Sequence, residues 1–210
     1  METIIVLDTG SILRLSYIES PTSKEKIIKL LTDSFEIFEP SEVFNEMEDP
    51  KESLEMIWDE IKLEWEMVKN RISKMDPPEE CLDIVLSELE IDKRRLLARD
   101  KVPAEYKVIA LALYLSRHNK NPIYVSTHES KAFSAFNYMC KKQQIGLVLC
   151  PFDILLHLHI HKEFKETDID GAWRQLCGFP GTVMQFNFRG ITYPDTLQDC
   201  ILKCNTRVCR

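Results

Sequence analysis

The chain has 210 residues, 44% of them hydrophobic and 29% charged, enough for one domain with a full core and a small appendage. No apolar stretch approaches the roughly 20 residues of a membrane-spanning helix, and the first residues lack the basic, apolar, small-residue order of a secretory signal, so a cytoplasmic location without membrane contact is expected. The net charge of −7 argues against a protein that coats nucleic acid through a broad basic face, but it is compatible with a nuclease, whose metal-binding carboxylates are themselves acidic.

In chain order, residues 3–7 (TIIVL) read as a short, fully buried strand that runs into Asp8-Thr9-Gly10-Ser11. Residues 11–18 read as a helix that stops near Ser20-Pro21, and 24–31 (KEKIIKLL) have apolar residues at helical spacing. Residues 35–38 are a second strand, after which Ser41 is expected to cap a helix over 42–48. Leu54, Ile57, Trp58, Ile61, Trp65 and Val68 form an apolar stripe that predicts one long helix over 51–73, broken by Pro77-Pro78. Helices are expected over 79–89 and, opened by Pro103, over 104–117. A third strand at 123–126 (IYVS), a helix at 130–142, a fourth strand at 145–149 (IGLVL) and a helix at 153–161 follow, with Asp153 as the cap of the last.

This alternation predicts an α/β fold with a mostly parallel central sheet over residues 1–164. Residues 165–210 read as a C-terminal extension of different character. Within it TVMQFNF and GITY flank Arg189-Gly190 as a hairpin would, and 196–204 have the pattern of a last helix.

In open parallel sheets ligands bind at the carboxyl ends of the strands. Asp8 stands at such an end, and two readings of it compete: cap of the following helix, or member of a carboxylate cluster that holds a metal. The same logic nominates Glu46, Glu105 and Glu129, each near an element end that should point to one edge of the sheet. Each also has a plain reading as a solvated or helix-capping side chain. Carboxylates brought together repel and need a divalent cation or raised pKa values, and an all-oxygen set suits Mg²⁺ or Mn²⁺.

Four stretches, in order, resemble the PIN-domain ribonucleases: IIVLDTGSIL with Asp8, FEPSEVFNEM with Glu46, PAEYKVIALAL with Glu105, and IYVSTHESKAF with Glu129. IGLVLCPFDIL fits the final strand and helix of that family, so the resemblance covers roughly residues 1–164. It implies a PIN-like three-layer α/β/α fold and a metal-dependent endoribonuclease that leaves a 3′-hydroxyl and a 5′-phosphate. Asp8, Glu105 and Glu129 would hold Mg²⁺ or Mn²⁺, and Glu46 would ligate it or orient the attacking water. The family pattern is Asp, Glu, Asp, Asp. Here Glu105 replaces one Asp, and Thr127-His128-Glu129 stands where another is expected, so His128 enters as a further ligand or as a neutral substitute. The alternative is a catalytically impaired PIN fold that binds RNA or a protein partner. RNA processing and a toxin paired with an antitoxin are the two roles the resemblance offers, and a homodimer is common among such domains.

Three further patterns were weighed. The run DKRRLLARDK supplies Lys93, Arg94, Arg95, Arg99 and Lys101 as candidate RNA-backbone contacts, or as a solvated helix face. His157, His159 and His161 alternate, but on a helix they scatter. Of the seven cysteines, Cys177, Cys200, Cys204 and Cys209 crowd the end of the chain without a C-x-x-C pair, which favours thiols over a zinc site.

Overall fold

The computed structural model describes residues 3–49, 54–91, 102–162 and 165–180. Five strands form one sheet in which every pairing is parallel: β1 (Ile4–Leu7), β2 (Glu36–Glu39), β3 (Ile72–Lys74), β4 (Ile123–Ser126) and β5 (Gly146–Leu149), in the order β3-β2-β1-β4-β5. The described residues also hold nine α-helices: α1 (Thr9–Tyr17), α2 (Ile27–Ser34), α3 (Ser41–Glu48), α4 (Trp58–Val68), α5 (Glu79–Glu88), α6 (Ala104–His118), α7 (Ser130–Gln143), α8 (Pro151–Lys162) and α9 (Glu166–Gly178).

The strand sequences explain their places. β1 is buried along its whole length, as IIVL requires of a central parallel strand covered on both faces. The apolar run of α6 is buried over most of its turns, from Ala104 to Leu115, and that helix packs on β1 and β4. Helices α1, α2, α4, α8 and α9 pack with one another, and α5, α6 and α7 form a second group, an arrangement consistent with three layers. The chain moves outward from β1 through β2 to β3, then crosses back to β4 on the other side of β1. The crevice outside the carboxyl end of β1 is therefore the topological switch point of the sheet.

Three expectations need correction. The long helix over 51–73 ends at Val68. A 3₁₀ turn at Lys69–Arg71 leads into β3, where Ile72, Ser73 and Lys74 pair with Ile37, Phe38 and Glu39. Ile72 lies four residues after Val68, so its apolar side chain continues the helical stripe. A three-residue edge strand with one buried residue leaves no period of its own. Ser41 does not cap α3. Pro40 holds the cap position, and Ser41 instead donates its amide and hydroxyl to Asp76, at 2.9 and 2.7 Å.

The third correction lies beyond residue 164, where the mixed pattern hides α9. That helix packs on α8 and clasps the loop after α1. Asp168 accepts hydrogen bonds from the Ser20 hydroxyl (2.9 Å) and the Thr22 amide (2.8 Å). Gln175 pairs with both backbone groups of Glu19, at 2.9 and 3.0 Å. The hairpin and last helix expected after residue 180 lie outside the described residues, as do Cys200, Cys204 and Cys209. No helix among the described residues is long and apolar enough to cross a membrane.

Candidate active site

Asp8 follows β1 directly, and both readings of it find support in the geometry. Its backbone is extended, its Oδ1 accepts from the Ser11 amide at 2.7 Å, and it is thereby the N-cap of α1. Its amide continues the β1–β4 ladder to the Ser126 carbonyl at 3.2 Å. Beside it the Ser11 and Ser126 hydroxyls lie 2.9 Å apart, and Thr127 hydrogen-bonds the Asp8 carboxylate. Burial pushes the Asp8 carboxyl up to about 6, against the lowering effect of the Thr127 and Ser11 hydrogen bonds and with a smaller upward push from the Glu129 charge.

The other three acids come from three helices. Glu46 lies on α3, where it accepts a 2.5 Å hydrogen bond from the Thr9 hydroxyl. Glu105 sits in the first turn of α6, and its carboxyl is raised by burial first, then by the Glu129 and Glu46 charges. Glu129 holds the cap position of α7, exposed and without a side-chain cap bond. Together with Thr9, Gly10, Ala104 and Ala132, the four acids line one cleft of about 150 Å³. Four segments spread over more than a hundred residues of sequence thus bring their carboxylates to the switch point of the sheet.

Asp8, Glu46, Glu105 and Glu129 form an all-oxygen donor set of the kind that suits a hard divalent cation. The carboxyls of Asp8 and Glu105 are raised chiefly by burial, with a smaller upward push from the neighbouring acids. As the side chains lie, no three His, Cys, Asp or Glu residues among those described are close enough to share one ion. Holding a cation between them would take side-chain rotation.

His128 does not line the cleft. The Nδ1–Cε1 edge of its ring abuts the start of α1, so close that a Cβ on Gly10 would fall 1.8 Å from Nδ1. Nδ1 is buried without a hydrogen-bond partner, and burial, with the nearby Arg14 charge, depresses the ring's pKa to about 3. A neutral ring packed on Gly10 fits the substitute reading of His128 better than the ligand reading.

Two residues near the site escaped the sequence reading. Arg14, buried in α1, feels the Asp8 and Glu129 charges. Glu39, at the carboxyl end of β2, is fully buried with neither carboxylate oxygen hydrogen-bonded. The signal for Arg14 was a lone charge inside an apolar run, SILRLSYI, and for Glu39 a charge at the end of a short strand, EIFEP. Of the alternate histidines on α8, His157 is buried against the Phe35 and Tyr124 rings, at 5.3 and 5.2 Å. Lys93, Arg94, Arg95, Arg99 and Lys101 lie outside the described residues.

Comparison of this chain with protein-family models, with curated proteins and with solved structures finds no match.

Proposed function

We propose that this chain is a PIN-like, divalent-metal-dependent endoribonuclease of the cytoplasm. The observation that carries the reading is the convergence of Asp8, Glu46, Glu105 and Glu129, nominated from four separate stretches, on one cleft at the sheet's switch point. On this reading Asp8, Glu105 and Glu129 hold Mg²⁺ or Mn²⁺, which supplies Lewis-acid stabilisation of charge developing on a phosphodiester. Glu46 accepts from Thr9 and is thereby aimed along one wall, where it orients the attacking water. Thr127 and the Ser11 amide fix the Asp8 carboxylate from behind. The basic run at 92–101 guides the RNA backbone toward the cleft. Processing of cellular RNA is the role we favour over a toxin held by an antitoxin, and a homodimer is its proposed assembly.

The test is cleavage of an unstructured RNA in Mn²⁺, comparing the natural chain with Asp8→Asn and with an EDTA control. Activity lost in both the variant and EDTA supports the reading, and equal activity in chain and variant rejects it. A second reading, a PIN-like fold that binds RNA or a protein without cutting, rests on Glu105 and Thr127-His128-Glu129 standing where the family pattern has Asp. Mn²⁺ that neither binds nor promotes cleavage would select it.

A further inference from the structure

Arg14 is only 4% exposed, on the second turn of a helix whose first turn lines the cleft. A buried guanidinium is costly unless charge and hydrogen bonds compensate it. Its Nη1 donates to the Gly10 carbonyl at 3.0 Å, and its guanidinium carbon lies 4.8 Å over the Phe179 ring. Phe179 is itself buried and set edge-on to Tyr17 at 5.4 Å. Burial lowers the Arg14 pKa only to about 10, because Asp8 and Glu129 pull it back up, so the group stays cationic at neutral pH. The neutral ring of His128 adds no second positive charge beside it.

We infer that Arg14 is a positioning residue, the built-in counter-ion that lets the four-carboxylate cleft fold with no metal bound, and that Phe179 holds it in place. The inference rests on the metal-site reading above. Four carboxylates in one small cleft repel one another, and in the metal-free chain a fixed cation held at the carbonyl of the cleft-lining Gly10, in the field of Asp8 and Glu129, offsets part of that repulsion. A bound divalent cation does the same from the cleft side, so Arg14 and the metal are partly redundant in charge. The redundancy separates this role from simple packing, because a metal ion can replace a missing charge but cannot replace a missing contact with Phe179.

The experiment is thermal unfolding at pH 7.5, in EDTA and in Mn²⁺, of the natural chain, Arg14→Met, Arg14→Lys and the double variant Arg14→Met with Glu129→Gln. Arg14→Met is expected to unfold about 10 °C lower in EDTA. Its Mn²⁺-induced rise in Tm should be at least twice that of the natural chain, since whatever binds the folded state alone stabilises it. Arg14→Lys keeps the charge and should show the natural rise, while the double variant recovers part of the loss in EDTA. Equal Mn²⁺ shifts in Arg14→Met and the natural chain would overturn the inference and leave Arg14 a packing residue. A natural chain whose Tm Mn²⁺ does not move would reject the metal site itself, and the inference with it. Should Arg14→Met not fold, the double variant decides: a folded double variant supports the counter-ion role, and one equally unfolded rejects it.

Discussion

Replacing Asp8 by Asn keeps an acceptor for the Ser11 amide, so the cap of α1 survives while the charge is lost. Urea denaturation should place Asp8→Asn within about 0.5 kcal/mol of the natural chain or above it, whereas Asp8→Ala also loses the cap, at about 1 kcal/mol. The two substitutions should be equally inactive on RNA, which divides the residue's structural role from its chemical one. Gly10 is a second single-residue constraint. A Cβ there would collide with the His128 ring, so Gly10→Ala should destabilise by about 1–3 kcal/mol, as overpacking does. The pair Gly10→Ala with His128→Ala should lose less than Gly10→Ala alone, and chemical denaturation of the two variants beside the natural chain checks it.

At the scale of elements, the end of β2 carries a pH dependence. Burial raises the Glu39 carboxyl to about 7, against the pull of Lys74, so in the folded chain it prefers to be neutral. An unfolded Glu titrates near 4.3. The stabilisation is therefore full below that value and is lost as pH rises through about 7, by on the order of 3 kcal/mol in all. Glu39→Gln should flatten that loss, measured by urea denaturation between pH 5 and pH 8. What the sequence made legible follows the same division of scale. β1, β4 and α6 carry dense apolar runs bounded by turn residues, and their patterns stand out because they are buried over most of their length, while β5, half exposed at the sheet edge, was legible from its apolar run alone. β3 was hidden because its single buried residue falls in phase with the helix before it. α9 does carry a buried apolar stripe at helical spacing, Ile169, Ala172, Trp173 and Leu176, but Gly171, Arg174 and Gln175 interleave with it and blur the pattern, and Asp168 and Gln175 add a polar hold on backbone and hydroxyl groups. The four cleft acids were legible through their places at element ends. Arg14 and Glu39 were not, since a charge buried by tertiary packing looks in sequence like an interruption.

For the whole molecule, the net charge of −7 constrains how the proposed RNA substrate would be held. Affinity cannot come from a broad basic face, so it should depend on few phosphate contacts and fall only gently with salt. Changing Lys93, Arg94, Arg95, Arg99 and Lys101 together to Gln should weaken RNA binding by a similar factor for every sequence tested. It should also flatten the slope of log affinity against log salt, while Mn²⁺ affinity stays as it was. Fluorescence anisotropy at three salt concentrations reads the first two effects, and titration of Mn²⁺ in the absence of RNA reads the third.

The order of the strands also sets a timetable for the chain as it is made. β1 leaves the ribosome before both of its neighbours and can pair with β2 some thirty residues later, but its other neighbour, β4, begins only at Ile123. Until then one whole edge of the central strand stays open, and loop closure over such a separation is slow. Asp8 and Glu46 emerge with the early half, Glu105 and Glu129 with the late half. A nascent chain therefore has only half of its acidic cleft until β4 docks, and the proposed nuclease cannot act on the messenger from which it is being read before most of its core has been synthesised.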